Sequence, residues 1–478
     1  MQNKKKILSI NEIEKLNINE IKELYSSYIN PYQTKIFSNF SFGKEVFVKA
    51  KGMNIYTESG KKILDFTGGF GVLNHGHNNE RILNVRKKFL DDNKMEVHKI
   101  VFSKYLAGLS FNLSQILEND FNRTFLCNSG AEAVEGALKI AFRSCKNKKF
   151  VLSSNKSYHG KLIATGSISG SYKEKNTFPK ISNYDFFDFN DPVSLEKKIE
   201  ELNNKGGVYA VVIEPYSATL LEECSNEFIE KLIFLRNKFK FKIICDEVYC
   251  AWYKCGHLFY FKKYKNFKPD IITLSKSMGG GKSSISAYVT SEKIHKEVYG
   301  SLDTALLHST TYNGFAEECI TAIEAINILI EENYNDKVKK IESLIEKKLS
   351  EIKKKFPKKI KGYRGKGSLF GIEFFSVMDN FNYLLDKVNL NSIKQKKKLV
   401  SKLYVASLSD ELFINHNILT NISESDNSDF LYISPSLIVT EDDINCFFNA
   451  LENILNKSIN MNFPEYIFKS VINLIKKS

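Results

Sequence analysis

The sequence predicts an α/β protein: a mostly parallel sheet covered by helices on both faces, with a smaller α+β section beside it. Three observations carry that prediction. Short, continuously apolar runs of strand length recur through the middle of the chain. Amphipathic stretches of helical length separate several of them. At 478 residues and 43% hydrophobic content, the chain can enclose a substantial core.

The elements follow in order. The first forty residues read as polar helix, with amphipathic spacing in INEIKELYSSYI. From Val46, VFVKAKGMNIYTESGKKILDFTGG reads as two short strands around a Glu-Ser-Gly turn. In CNSGAEAVEGALKIAFR, Ser129 is suited to cap a helix that places Ala133, Val134, Ala137, Leu138 and Ala141 on one face. Strand candidates are FVLSS (150–154), YDFFDF (184–189), YAVVIEP (209–215), FKIICDEV (241–248), DIITLS (270–275) and SAYVTS (286–291). SLEKKIEELNNK and NEFIEKLIFLRNKFK are amphipathic helices between them. After Ala316 one long helix is expected to run into IESLIEKKLSEIKKKF. Beyond Pro357, RGKGSLFGIEFF opens a C-terminal α+β section.

Composition excludes several function classes. The formal net charge is +14, but the lysines are spread over the whole chain and no basic run is interleaved with stacking aromatics. Solvated helix faces explain this pattern, and no nucleic-acid partner is expected. The eight cysteines include no C-x-x-C pair, and several lie in apolar runs such as KIICDEV. They read as buried, reduced thiols, with no metal site. The N-terminus, MQNKKKILSINEIEKLN, has no apolar signal core, and no apolar stretch is long enough to span a bilayer. The expectation is a cytoplasmic protein without a membrane partner.

The stretch LSKSMGGGKSS (274–284) looks at first like a phosphate loop of the form G-x-x-x-x-G-K-[ST]. Aligning Gly281, Lys282 and Ser283 with the end of that pattern puts Lys276 where its first glycine must stand. Lysine does not replace a glycine that permits the turn around the phosphate. A different chemistry accounts for Lys276. Glu214, Asp246 and Lys276 each fall at or just beyond the end of a predicted strand, where open α/β sheets form their sites. A single charge there is often an ordinary polar cap; three in succession point to a site. Gly130 leaves the backbone N–H groups of a helix start open to an anion such as phosphate. A lysine amine forms a Schiff base with an aldehyde. An aspartate about thirty residues earlier keeps a pyridine nitrogen protonated. Aldehyde, phosphate and pyridine nitrogen together describe pyridoxal 5'-phosphate, whose protonated ring accepts a carbanion's electrons.

From about Val46 to about Leu451 the chain resembles the class III aminotransferases, the fold type I enzymes that include ornithine, acetylornithine, putrescine and 4-aminobutyrate aminotransferases. The resemblance rests on blocks in the family's order: GKKILDFTGGFGVLNHGHNNERI, NSGAEAVEGALKIA, SYHGK, IEP, DEV, LSKSMGGG, HSTTYNG, RGKGSLFGIEF and YISPSLIVTEDDI. It implies a large domain around a mostly parallel seven-stranded sheet and a smaller α+β domain built from both termini. We expect residues 1–99 to contribute to the small domain, 100–335 to form the cofactor domain and 336–478 to complete the small domain. The resemblance also implies residue roles. Lys276 would carry the cofactor and move the proton, and Asp246 would pair with the ring nitrogen. Val248 and Tyr158 would pack on the two ring faces. Ser129, Gly130 and Ala131 would hold the phosphate, and Thr311 would reach the phosphate of a neighbouring subunit in a homodimer with shared sites. Glu214 would order the groups around Asp246, and His159 stands beside the stacking aromatic.

The chain departs from the family at the substrate side. Tyr249 replaces a glutamine near the ring hydroxyl. Thr219 replaces a glutamate that gates several members, and Tyr432 replaces the arginine that holds a substrate α-carboxylate. That glutamate and arginine pair with each other in ornithine-type enzymes, so losing both is self-consistent: a lone buried survivor is destabilising. Lys161 stands for an arginine and keeps the charge without the bidentate fork. Phe70 joins these as a candidate substrate residue. The implied activity is a two-half-reaction transfer of an amino group from an amine or amino acid to a 2-oxo acid, aldehyde or ketone. An intramolecular aminomutase and a non-catalytic cofactor-binding relative are the alternative readings.

Overall fold

The computed structural model describes residues 7–172, 177–375, 393–422 and 430–457. Its central sheet has seven strands: β1 (Arg123–Cys127), β2 (Phe150–Ser154), β3 (Tyr184–Phe187), β4 (Val208–Ile213), β5 (Lys242–Asp246), β6 (Ile271–Leu274) and β7 (Ser286–Thr290). They lie in the order β1-β7-β6-β5-β4-β2-β3. Neighbours are parallel except around β7, which is antiparallel to both β6 and β1. The predicted α/β class and mostly parallel sheet are therefore present.

Strand β4 is buried at every residue and divides its side chains between two cores. Val211 and Ile213 join one; Ala210 and Val212 join the other. This is the period-two alternation of a strand covered on both faces. Helix Gly130–Ser144 fills the second core with Val134, Ala137, Leu138 and Ala141, on the face its spacing predicts. Helices Pro192–Asn203 and Asn226–Phe239 fill the first with Leu195, Ile199, Phe228 and Leu232.

The register of three parallel strands sets up the site. Ile213 of β4 pairs with Cys245 of β5, and Asp246 pairs with Thr273 of β6. Glu214, Asp246 and Lys276 thus emerge together at the carboxyl ends of adjacent strands.

Segments from the N-terminal and C-terminal parts of the chain pair with each other. Strands Phe47–Lys51, Asn54–Thr57 and Lys62–Asp65 form an antiparallel set that the C-terminal Ile418–Leu419 extends in parallel. Strands Ile360–Lys366, Leu369–Phe374, Phe430–Ile433 and Asn421–Ile422 form a further antiparallel sheet.

Several boundaries differ from the sequence expectation. The segment after Val46 contains three strands, not two. The helix after Ala316 is two, Ala316–Glu331 and Tyr334–Lys355, broken where Asn333 adopts φ 50°; asparagine tolerates that left-handed conformation. The third strand stops at Phe187 rather than 189. The fifth stops at Asp246 rather than 248, because the Asp246 carboxylate accepts the Val248 N–H and turns the chain. Strand β1 had no counterpart among the candidates; its RTFLC begins with two polar residues and is only half-buried until Leu126.

Candidate active site

Asp246, at the end of β5, is 5% exposed and accepts three hydrogen bonds. His159 Nδ1 lies 2.7 Å from one carboxylate oxygen, and Val248 N and Thr273 Oγ1 each lie 3.1 Å from the other. His159 is buried too, and its Nε2 has no hydrogen-bond partner among the described residues. Burial alone would lower the imidazole's pKa, but the Asp246 carboxylate outweighs it and holds the ring above its ordinary value. Glu214 accepts the Tyr158 N–H at 3.0 Å. Burial raises its carboxyl to about 7, opposed by His159 and assisted by Asp246.

Lys276 follows β6 with φ 52°, a strained conformation for a non-glycine residue and one that clusters at functional sites. Burial pulls its amine below the ordinary value against the opposite pull of Asp246 and Glu214. Its Nζ lies 4.3 Å from the Tyr249 ring centroid, a cation–π distance. The Tyr249 hydroxyl in turn meets Ser434 Oγ at 3.3 Å.

These groups line a cavity of about 540 Å³, within the size range of small-molecule sites. Every candidate residue named above lines it except Ser129 and Thr311. The Ser129 hydroxyl accepts the Glu132 N–H as the helix cap, while Glu132 takes the Asn128 and Ser129 N–H groups. Gly130 and Ala131, the first helical residues, keep N–H groups that the helix cannot satisfy. Gly130 is there because a side chain does not fit: a Cβ would stand 2.8 Å from Val248 Cγ1. Thr311 is exposed on a turn and is not among the residues that line the cavity.

On the substrate side, the Tyr432 hydroxyl donates to the Thr219 carbonyl at 2.6 Å. The two positions that depart from the family pattern thus touch each other through a neutral bond. Lys161 Nζ lies 5.1 Å from the Tyr172 ring centroid, and Tyr172 packs on Tyr158 with centroids 5.4 Å apart. Phe70 sits in a turn where Gly68, Gly69, Phe70 and Gly71 all have positive φ, and Gly71 lies flat against the Tyr249 ring.

Sequence reasoning missed Tyr172, Tyr216, Ser275, Leu369, Asn421 and Ser434, which also line the cavity. Ser275, Leu369 and Ser434 stand inside the blocks quoted above, and Tyr216 directly follows IEP. Tyr172 and Asn421 had no local signal.

The residues present fit pyridoxal phosphate. The Asp246 carboxylate faces the His159 imidazole beside a lysine of lowered basicity, a helix start at Gly130 offers N–H donors that the helix cannot satisfy, and His159 Nε2 is buried without a partner among the described residues. Sheet and site together define a pyridoxal-phosphate-dependent transferase of fold type I. The chain matches the family model for aminotransferase class-III over residues 42–455. It belongs to that family and is a pyridoxal-phosphate-dependent aminotransferase.

Solved structures agree in fold. Ornithine aminotransferase from Toxoplasma gondii superposes with a TM-score of 0.72 at 21% identity, covering 98% of this chain and 100% of that one. An S-selective transaminase from Arthrobacter sp. gives 0.79 at 19%, covering 94% and 100%. Adenosylmethionine-8-amino-7-oxononanoate aminotransferase from Methanocaldococcus jannaschii gives 0.75 at 21%, covering 92% and 99%.

Proposed function

We propose that this aminotransferase moves an amino group between an amine-bearing donor and a carbonyl acceptor, with preference for an ω-amine or a simple aldehyde or ketone on one side. The observation that carries the reading is the convergence of Glu214, Asp246, His159 and Lys276 at the carboxyl ends of three adjacent strands. When bound, pyridoxal phosphate supplies an aldehyde and a ring that takes up the electron pair of a breaking C–H bond. Lys276 anchors it, and its Nζ, of lowered basicity, carries the proton away from the substrate carbon and returns it. Asp246, oriented by His159 and Thr273, holds a proton on the ring nitrogen. Gly130 and Ala131 bind the phosphate through their N–H groups, with Ser129 fixing the helix start. Val248 and Tyr158 would flank the ring, and Glu214 and Tyr249, which line the same cavity, would border its edge.

The preference for an ω-amine rests on Tyr432 and Thr219. Where an arginine would hold an α-carboxylate, the Tyr432 hydroxyl makes a neutral bond to a backbone carbonyl. Lys161 is then the cation for an acceptor carboxylate, and Phe70 borders the same space. A panel of amino donors and keto acceptors with purified enzyme tests this. Strict dependence on an α-amino acid in both half-reactions would refute the preference, and turnover without a 2-oxo or aldehyde co-product would point to an aminomutase.

The reading includes a homodimer in which Thr311 serves the neighbouring site. Its support is a pair of adjoining loops, tied by Lys99 Nζ to the Thr310 carbonyl at 2.5 Å, that expose Ile100, Phe102, Leu306 and Tyr312. Exposed apolar residues so concentrated mark interfaces. Full activity in a monomer at high dilution would contradict it. The division at residues 99/100 and 335/336 is proposed on the joining of the two termini described above. Cytoplasmic residence is proposed from eight unbridged cysteines. Limited proteolysis and localisation of a tagged protein test these two.

A further inference from the structure

Lys254 is fully buried, yet none of the described carboxylates forms an ion pair with it. Its Nζ donates to two backbone carbonyls, Ser434 O and Pro435 O, each at 2.8 Å. Burial brings its amine down to about 7, with Cys255 and Asp65 pulling the other way. An apolar side chain of similar volume would fill this space without the penalty of burying a charge. What its Nζ holds explains its presence better than the volume it fills.

Three separate stretches of chain meet at this residue. The Ser434 N–H donates to Phe66 O at 2.8 Å. Gly68, with φ 52°, packs so closely that a Cβ would lie 2.1 Å from Ser434 O and 3.3 Å from Lys254 Nζ. Ser368 binds on both sides: its N–H donates to the Lys254 carbonyl at 3.1 Å, and its hydroxyl donates to Pro435 O at 3.0 Å. Segments from both termini are thereby joined to the stretch that leaves Asp246. The contact then continues into the active site. Ser434 Oγ meets the Tyr249 hydroxyl at 3.3 Å, and the Tyr249 ring lies 4.3 Å from Lys276 Nζ.

We propose that Lys254 is a positioning residue for the active site: its Nζ donors fix the Ser434–Pro435 carbonyls and, through the Ser434 hydroxyl, set where the Tyr249 ring lies beside Lys276. This rests on the reading of Lys276 as the cofactor-bearing lysine. Lys254 does not touch substrate or cofactor. It acts on the electrostatic surroundings of the Lys276 nitrogen by holding one aromatic face in register.

The test uses cofactor-loaded enzyme carrying Lys254→Met, which keeps the side chain's length and loses its donors, and Lys254→Arg, which keeps charge and donors. Thermal melting establishes that each is folded. The pH titration of the bound cofactor's visible absorbance reports on the Lys276 nitrogen. Lys254→Met is expected to move that midpoint by roughly half a pH unit or more. Its kcat should fall roughly tenfold to a hundredfold, as misplacement of a supporting group does, with KM changed by less than about threefold. Lys254→Arg should restore most of both. A folded Lys254→Met enzyme with the wild-type midpoint overturns the proposal, whatever its kcat, because a purely structural clamp would do no more. If Lys254→Met does not fold, Ser434→Ala carries the test, since it removes only the hydroxyl contact to Tyr249; an unmoved midpoint there overturns the proposal equally. Borohydride reduction and peptide mapping of the wild-type enzyme separate the two readings. An adduct away from Lys276 would sink the site assignment, whereas an adduct on Lys276 with unmoved midpoints sinks only the role of Lys254.

Discussion

Replacing Asp246 with asparagine removes one charge from the centre of the site and leaves its shape. Oδ1 of the new amide can still accept from Val248 N and Thr273 Oγ1, both at 3.1 Å in the wild type. The amide nitrogen must then face His159 Nδ1, which lies 2.7 Å from the other carboxylate oxygen. Two donors cannot face each other at that distance, so His159 gives up its Nδ1 proton and becomes the neutral tautomer protonated at Nε2. A hydrogen bond to a charged group contributes about 1.5–3 kcal/mol, and that is the expected loss of stability without cofactor. The sign of its pH dependence follows from His159. Its folded pKa is raised, so the pair's contribution is complete below the unfolded value of about 6.5 and is lost as pH rises through the folded value. The stability gap between wild type and Asp246→Asn, measured by urea unfolding between about pH 5 and 9, should therefore narrow with rising pH. In the loaded enzyme the ring nitrogen loses its anionic partner. Loss of one preorganised charge at the site where charge develops lowers kcat by roughly 10²–10³-fold. A variant with near wild-type kcat, or a gap that widens with pH, would refute the arrangement.

Other outcomes follow from the same geometry. Lys276→Ala should fold, and it should bind pyridoxal phosphate reversibly through the helix start without a borohydride-reducible link; an adduct that maps to Lys282 would redirect the assignment. Lys161→Ala should raise the KM for a dicarboxylate acceptor by roughly tenfold, the effect of losing a charge-assisted bond, and leave a simple amine donor almost unchanged. Undiminished glutamate turnover in that variant would show that another cation holds the carboxylate.

Legibility in the sequence followed the range of the interactions involved. Strands β2 to β7 were readable because each carries a cluster of apolar residues at strand length, clearest in β4, which is buried at every residue. Strand β1 was not, because its outer residues are polar and its pairing with β7 is remote in sequence. The break at Asn333 and the stop at Asp246 are local backbone events, set by a positive φ and by one side-chain bond, and hydrophobic periodicity carries no trace of either. Lys276, Asp246 and Glu214 were readable because a charge at the end of an apolar strand is a local pattern. Asn421 and Tyr172 reach the cavity from distant parts of the chain and leave no such pattern.

Tyr432 and Thr219 show how far a pattern of departures can be taken. Their sequence positions established only that a glutamate–arginine pair is missing. The structure adds that the replacement is a bond, from the Tyr432 hydroxyl to the Thr219 carbonyl. That bond ties the strand Phe430–Ile433 to the loop after β4, in the place where the ion pair would have joined them. An ion pair can open to give its arginine to an incoming carboxylate. A tyrosine that lets go of a backbone carbonyl offers a single neutral donor. Neutral hydrogen bonds contribute about 0.5–1.5 kcal/mol net, and those to charged groups about 1.5–3. If a substrate α-carboxylate is placed at this wall, as proposed, it is expected to gain less than it would from an arginine, while a substrate without one would leave the bond intact. On the proposed reading, selectivity towards carboxylates would then fall to Lys161, which lies between Tyr158 and Tyr172 in sequence and lines the cavity wall with both.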